Sequence, residues 1–443
     1  MPSRPTLKRF HILALIFVSV VINYMDRTNI SVAAAAMSDE LALSAVQMGY
    51  IFSAFAWTYS VLQMPGGIVV DLVRVRVLYP FLLVAWSLAT LMQGLVSSFG
   101  ALIGCRMAIG VFEAPTYPCN NKIVTNWFPQ QERASAIAVY TSGQFIGLAL
   151  LIPVLVLIQN QFGWRGLFIA SGLVGFVWAA VWYALYREPY EHPSVNQAEL
   201  AHIADPDIHG DPGSAASRGD APPTLAVSDF VAVFSNRKLW GIYIGKFCLG
   251  GTLIFFLTWF PTYLVEYRGL GFVQSGFLAS VPFLAAFLGV LVSGVTSDYL
   301  VRRGVSNEFA RKAPIVTGMV LTTCIVGANY TDNTLWVITF LSIAFFGNGL
   351  SSIAWVFVSL LSPRRLIGLV GGCFNFVSSL SAIVVPIVIG YLVDEGDFAP
   401  ALVFIAALAI VGAYSFLFLV GKIERIDLDG SLAAERRLAA TRG

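Results

Sequence analysis

Residues 10–27 read FHILALIFVSVVINYMDR, an apolar run from Phe10 to Tyr24 followed at once by an acid and a base, Asp26 and Arg27. A lone charge at the centre of a bilayer costs about 3 kcal/mol or more, so charged side chains there mark function more often than packing. Neighbours on a helix point about 100° apart, so Asp26 and Arg27 cannot satisfy each other. Each needs a partner on another helix, a water-filled cavity or a substrate. The fourth apolar segment, Ala101 to Pro118, repeats the pattern with Arg106 and Glu113. Their seven-residue spacing is about two helical turns and puts them on nearly one face.

The rest of the chain supplies the setting. Of 443 residues, 57% are hydrophobic and only 12% charged, with a mean hydropathy of +0.76, whereas soluble domains are about 25% charged. A spanning helix needs about 20 mainly apolar residues. About twelve such runs begin near Phe10, Gly49, Leu78, Gly100, Ala134, Gly166, Leu239, Gln274, Pro314, Leu335, Ile367 and Ala401. The first has no small-residue cleavage site after it and reads as a retained helix. The expected fold class is therefore an all-α, multi-pass membrane protein.

Positive residues gather in alternate loops: Arg4, Lys8 and Arg9; Arg74 and Arg76; Lys122 and Arg133; Arg237 and Lys238; Arg302, Arg303, Arg311 and Lys312; Arg364 and Arg365; Lys422 and Arg425. The opposite loops are mainly acidic, with Arg165 and Arg268 as exceptions. By the positive-inside rule both termini face the cytoplasm and the number of spans is even.

Hydropathy breaks longest between about Arg187 and Lys238, which divides the chain into residues 1–190, a cytoplasmic connector at 191–238, and residues 239–443. The connector's Gly, Ala, Ser, Pro and acidic content reads as a solvated linker. The halves also repeat each other. Gly67 and Asp71 precede Arg74 and Arg76 after the second span; Gly294 and Asp298 precede Arg302 and Arg303 after the eighth. Helix-end signals could produce this by coincidence, but a duplicated six-helix bundle around a central cavity accounts for it better. Asp71, Arg76, Asp298 and Arg302 are then candidate gating-loop residues.

Several stretches resemble the major facilitator superfamily, and within it the anion:cation symporter branch. They include Asn23 to Arg27, Gly49 to Phe55, Gln63 to Gly67, Glu113-Ala114-Pro115, Asn126 to Pro129, Tyr140 to Phe145, Phe256 to Pro261, Phe345 to Gly349 and Gly371 to Phe376. The resemblance implies two pseudo-repeated six-helix bundles and uptake of organic acids with protons, most closely sugar acids of the galactonate, hexuronate or glucarate class. It implies proton-binding roles for Asp26 and Glu113, a substrate carboxylate on Arg27, and coupling of Arg106 to an acid. Tyr24, Tyr59, Gln144, Ser352, Trp355 and Asn375 match cavity positions of the family. Simpler readings remain open: a structural network for Arg106 and Glu113, packing for Tyr59 and Trp355, and helix-to-helix hydrogen bonds for Gln144 and Asn375. Asn348, Ser352 and Trp355 fall at i, i+4 and i+7, one face of a helix.

Two departures stand out. Leu72 occupies a usually basic position of the first gating repeat, and Arg74 a usual glycine. Lys246, in the middle of the seventh span, stands where galactonate-type carriers of the branch have glutamine. A buried ammonium needs a counter-charge. It either pairs with Glu113 or another acid, or it brings the formal cavity charge to +1, with Arg27, Arg106 and Lys246 against Asp26 and Glu113, and favours a uronate or a dicarboxylic sugar acid.

The five cysteines lack metal or redox spacing, the four histidines are expected to avoid the transmembrane cavity, and neither a nucleotide-binding loop nor a catalytic triad is present in the sequence. The expectation is a non-enzymatic, alternating-access carrier without cofactor or metal, working as a monomer in the cytoplasmic membrane. Its partners are a sugar-acid anion, protons and lipid, not nucleic acid. A carrier of another organic anion such as tartrate or an aromatic acid, or a transporter-like sensor, is the alternative.

Overall fold

In the computed structural model the described residues are 5–203, 227–363, 366–393 and 396–426. Arg4, Arg364, Arg365, residues 204–226 of the connector and the side chain of Asp298 lie outside the description. The described residues form helices and no strand. The first half runs α1 (Lys8–Leu41), α2 (Ala45–Leu72), α3 (Val75–Gln93), α4 (Phe99–Glu113), α5 (Thr116–Trp127) and α6 (Gln130–Leu185). The connector holds α7 (Gln197–Ile203) and α8 (Val227–Ser235). The second half runs α9 (Arg237–Thr258), α10 (Phe272–Arg302), α11 (Asn307–Thr322), α12 (Thr334–Leu350), α13 (Val356–Leu361), α14 (Ile367–Val393) and α15 (Ala399–Tyr414).

Helix starts follow the sequence's cap residues. Ser44 and Gln47 form a capping box before α2, Ser98 accepts the Ala101 N–H before α4, and Asn333 accepts the Leu335 N–H before α12. Proline inside α2, α3, α6, α10, α11 and α14 is tolerated where neighbouring helices satisfy the freed backbone groups.

Nine of the described helices are long and apolar enough to cross a bilayer. One of them, α6, is two spans in succession. Its 56 residues would reach about 84 Å at 1.5 Å per residue, far beyond a bilayer core of about 30 Å, and the chain turns at Gly163, where φ is 71°. With α2 and the α4–α5 pair, the helices account for the apolar runs counted in the sequence. Their outer faces are lipid-suited: Val61, Leu72, Leu150, Phe162, Val177 and Leu335 are all more than 60% exposed, the arrangement of a protein whose solvent on that side is hydrocarbon.

Contacts gather the chain into two compact units. The first comprises Met1–Gly219, Phe255–Leu284 and Ile383–Phe398, the second Asp220–Ile254, Ala285–Ala382 and Ala399–Gly443. Within the first, α1 and α3 pack on α6, and α4 packs on α2 and α3. Two stretches from the second half join this unit through close backbone approach. A Cβ on Gly49 would lie 2.6 Å from the Pro386 carbonyl oxygen. Trp259 stacks edge-on against Phe52 and donates its indole N–H to the same Pro386 carbonyl at 3.1 Å. The second unit is built on an apolar core that includes Leu239, Tyr243, Met319, Phe357, Phe374 and Phe416.

The connector's first part is structured. Glu199 of α7 is fully buried and accepts from the Thr6 hydroxyl and from the Lys8 and Arg9 backbone N–H groups at 3.0 and 3.1 Å. Arg9 also bridges to Glu132 at 3.0 Å, and His202 lies 3.1 Å from the same carboxylate. The sequence's solvated-linker reading misses this because acidity alone does not reveal a carboxylate that caps another helix.

Candidate functional site

The first unit's site begins at a crossing of α2 and α4. A Cβ on Gly110 would sit 2.3 Å from both the Phe55 carbonyl oxygen and Thr58 Oγ1, so only glycine lets the two backbones approach this closely. Thr58 fastens the crossing by donating to the Met107 carbonyl at 2.7 Å. Phe55 and Tyr59, stacked with centroids 5.0 Å apart, thereby face Arg27 on α1.

Arg27 Nε donates to Glu113 Oε2 at 2.9 Å, and Glu113 is fully buried. The guanidinium carbon lies 5.0, 4.8 and 4.6 Å from the ring centres of Tyr24, Phe55 and Tyr59. Weak guanidinium hydration makes such an aromatic cage favourable, by about 0.5–2 kcal/mol per desolvated ring. Arg27 Nη2 and Glu113 Oε1 are buried without a hydrogen-bond partner among the described residues.

Asp26 points the other way, as the 100° offset requires. Its Oδ2 accepts from Trp86 Nε1 of α3 at 3.1 Å. Arg106 Nη1 reaches the Asp26 carbonyl oxygen at 3.4 Å, and the Arg106 guanidinium lies 5.4 Å from the Phe55 ring. Arg106 makes no ion pair within 4.0 Å among the described residues, so the acid it meets directly is represented by backbone, not carboxylate. Trp86 is the site residue the sequence reading omits. A tryptophan buried in mid-span, away from the interfacial belts where tryptophan collects, is the signal that could have found it. Gln144 lies half-buried on α6; its neighbours Gly143 and Gly147 pack on Phe17 and Val21 of α1.

In the second unit, Lys246 of α9 is half-buried. Its Nζ lies 5.5 Å from the Phe374 ring centre, and Phe374 meets Trp355 edge-on at 5.0 Å. Among the described residues no carboxylate lies within 4.0 Å of Lys246. Asn348 is buried and donates to the Leu249 carbonyl at 2.8 Å, tying α12 to α9. Residues Ser351–Trp355 wind as a 3₁₀ helix, not as a continuation of α12. Three residues per turn aligns Ser352 with Trp355 but takes them out of register with Asn348, so the single face read from the sequence is divided. Ser352 is half-buried, and Trp355 and Asn375 are exposed.

At the candidate gating loops, Asp71 is exposed and Lys122 caps α2 by donating to the Val70 carbonyl at 2.6 Å. Arg74 pairs with Glu191 at 3.3 Å, and Arg76 lies 5.5 Å from the Tyr183 ring. Arg302 is exposed in the last turn of α10; nearby, Arg311 donates to Ser297 Oγ at 2.9 Å.

A family model described as Major Facilitator Superfamily matches residues 16–386. The chain belongs to the major facilitator superfamily. It is 47% identical over 96% of its length to a protein named D-galactonate transporter from Escherichia coli O6:H1, covering 98% of that protein. It is 40% identical to the probable galactarate/D-glucarate transporter GarP of Escherichia coli K12 (95% and 96% covered) and 30% identical to the hexuronate transporter of Bacillus subtilis (93% and 94%). In fold it is similar to a bacterial homologue of the human lysosomal transporter Spinster (TM-score 0.70, 18% identity, 94% and 95% covered) and to the nucleoside transporter NupG (TM-score 0.66, 14% identity, 93% and 99% covered). This major facilitator is a multi-pass inner-membrane transporter and not an enzyme.

Proposed function

We propose that this protein is a proton-coupled symporter that imports a sugar-acid anion of the galactonate, hexuronate or glucarate class by alternating access between two six-helix bundles, residues 1–190 and 239–443. The observation that carries the reading is the Arg27–Glu113 pair. It unites a guanidinium, whose fork suits a carboxylate, with a fully buried acid, inside a cage of aromatic rings. A substrate carboxylate that takes Arg27 through two parallel hydrogen bonds removes the cation from Glu113. A buried carboxylate deprived of its cation binds a proton, so anion and proton favour each other's binding. Asp26, held by Trp86, is the second proton site; Arg106 lies against the Asp26 backbone and favours the negative charge nearby. Tyr24, Tyr59, Gln144, Ser352, Trp355 and Asn375 supply polar or aromatic contacts to the sugar, while Asp71, Arg76, Asp298 and Arg302 work the gating loops. The relatives' names support the substrate class.

Lys246 sets the choice within that class. Its ammonium has an aromatic neighbour but no carboxylate partner among the described residues, which suits a second acidic group on the substrate. A charged hydrogen bond is worth about 1.5–3 kcal/mol, so Lys246→Gln should weaken galactarate or glucarate uptake by about 10–100-fold relative to galactonate. An unchanged competition profile in proteoliposomes would remove this role. For the coupling itself, Glu113→Gln should still exchange labelled substrate but fail to accumulate it on a pH gradient. Full accumulation by that variant would contradict the proposal.

A further inference from the structure

The face of α1 that carries Asp26 changes character at that residue. On the cytoplasmic side the space between α1, α3 and the second half of α6 is filled by aromatic rings. Tyr79, Trp182 and Tyr186 stack in a column with centroids 4.1 and 5.0 Å apart, and Trp178 donates to Ser19 Oγ at 2.8 Å. On the outer side the same helices present polar groups instead. Asn29 lies one turn beyond Asp26. Thr90 and Gln93 follow Trp86 at i+4 and i+7, hence on the face from which Trp86 reaches Asp26. Ser171 precedes Trp178 by seven residues and shares its face toward α1.

These four side chains are at most 2% exposed. Both amide atoms of Asn29 and of Gln93, the Thr90 and Ser171 hydroxyls and Asp26 Oδ1 have no hydrogen-bond partner among the described residues. Polar groups buried in this way are satisfied by internal water in folded proteins, and apolar side chains would fill the same volume without the desolvation cost. The series spans about 10.5 Å along α3 and ends at the outer rim. There Gly94, next after Gln93, accepts from Arg165 at 3.2 Å, and Arg165 pairs with Glu40 at 2.9 Å at the surface. Charged groups reach Asp26 from α4 alone, Arg106 and Glu113, among the described residues.

We propose that Asn29, Thr90, Gln93 and Ser171 line a proton route, closed in this structure and opened by the entry of water, that loads Asp26 from the outer face, through the first bundle and not through the opening that admits substrate. A proton released by outer water passes along the water that these side chains admit to Asp26 Oδ1, and the aromatic column blocks its onward passage to the cytoplasm. The substrate's side of α1, where Arg27 and Glu113 meet, is left free for the anion. The inference rests on the symport reading of Asp26.

Thr90→Val keeps the side chain's shape and removes the hydroxyl; Thr90→Ser keeps the hydroxyl. In proteoliposomes with radiolabelled galactonate, Thr90→Val should lower pH-gradient-driven uptake at least tenfold while exchange at equal pH on both sides stays within twofold, and Thr90→Ser should restore uptake. Asn29→Leu should behave like Thr90→Val. Uptake unchanged in Thr90→Val, or uptake and exchange falling together without rescue by Thr90→Ser, would overturn the route. Infrared spectroscopy gives a substrate-independent check: deuterium exchange of the protonated Asp26 carboxyl, identified by its loss in Asp26→Asn, should slow at least tenfold in Thr90→Val, and equal rates would overturn the route. Wild-type uptake indifferent to the pH gradient would instead strike the symport reading, and the infrared rate would still decide the route.

Discussion

Arg27 holds its place through geometry that lysine cannot copy. Its planar fork keeps one N–H on Glu113 while the ring faces of Tyr24, Phe55 and Tyr59 cover the guanidinium. Arg27→Lys should therefore preserve the charge and still weaken substrate binding by at least tenfold, read as a rise in the Kd measured by titration calorimetry; an unchanged Kd would assign Arg27 a purely electrostatic role. The charged members of this site were legible in the sequence, because charge in an apolar run must have a reason. Which acid each base meets was not. A helix offset of 100° says that Asp26 and Arg27 diverge, but only the packing of α1 and α3 on α6 and of α4 on α2 and α3 brings Trp86 to one and Glu113 to the other. The same limit applies to Lys246: the sequence marks it as costly, and whether an acid answers it depends on which helices surround it.

At the scale of elements, two arrangements carry the site and its support. The α2–α4 crossing needs Gly110, and Gly110→Ala should destabilise the folded protein by about 1–3 kcal/mol through overpacking against the Phe55 backbone and Thr58. The check is the midpoint of thermal unfolding in detergent, which should fall. The second arrangement is the start of α1, where the N-terminal flank Leu7 offers no side-chain cap and the first N–H groups take Glu199 of α7 instead. Burial alone would raise the Glu199 carboxyl, but the Thr6 hydroxyl, the Lys8 and Arg9 N–H groups and the Arg9 cation outweigh it and hold the group below its ordinary value. A depressed carboxylate stabilises the docked state fully above its unfolded value, about 4.3, and the stabilisation disappears as pH falls through the lower folded value. Hydrogen exchange in residues 8–12 should thus be protected at neutral pH, lose protection on acidification below about pH 4, and lose it already at neutral pH in Glu199→Ala. Protection that ignores both changes would show that α7 does not cap α1. Caps of this kind escape sequence reading because donor and acceptor are 190 residues apart.

At the scale of the whole molecule, the apolar runs and the positive loops disclosed the membrane setting and the number of spans, since bilayer thickness fixes helix length. Close packing was less legible. Nothing in composition announces that Gly49 of α2 rests on the Pro386 carbonyl, yet such contacts decide which stretches form one compact unit. The 3₁₀ turn at Ser351–Trp355 likewise redirects residues that a regular helix would align. In the proposed cycle a sugar-acid anion and a proton share the Arg27–Glu113 pair. The most direct test of this sharing is uptake of radiolabelled galactonate, galacturonate and glucarate into proteoliposomes under an inward proton gradient, with Asp26→Asn and Glu113→Gln alongside. At least one sugar acid should accumulate, and its accumulation should collapse without the gradient and in both variants; accumulation that persists in either variant, or no uptake of any of the three, would rule the shared site out.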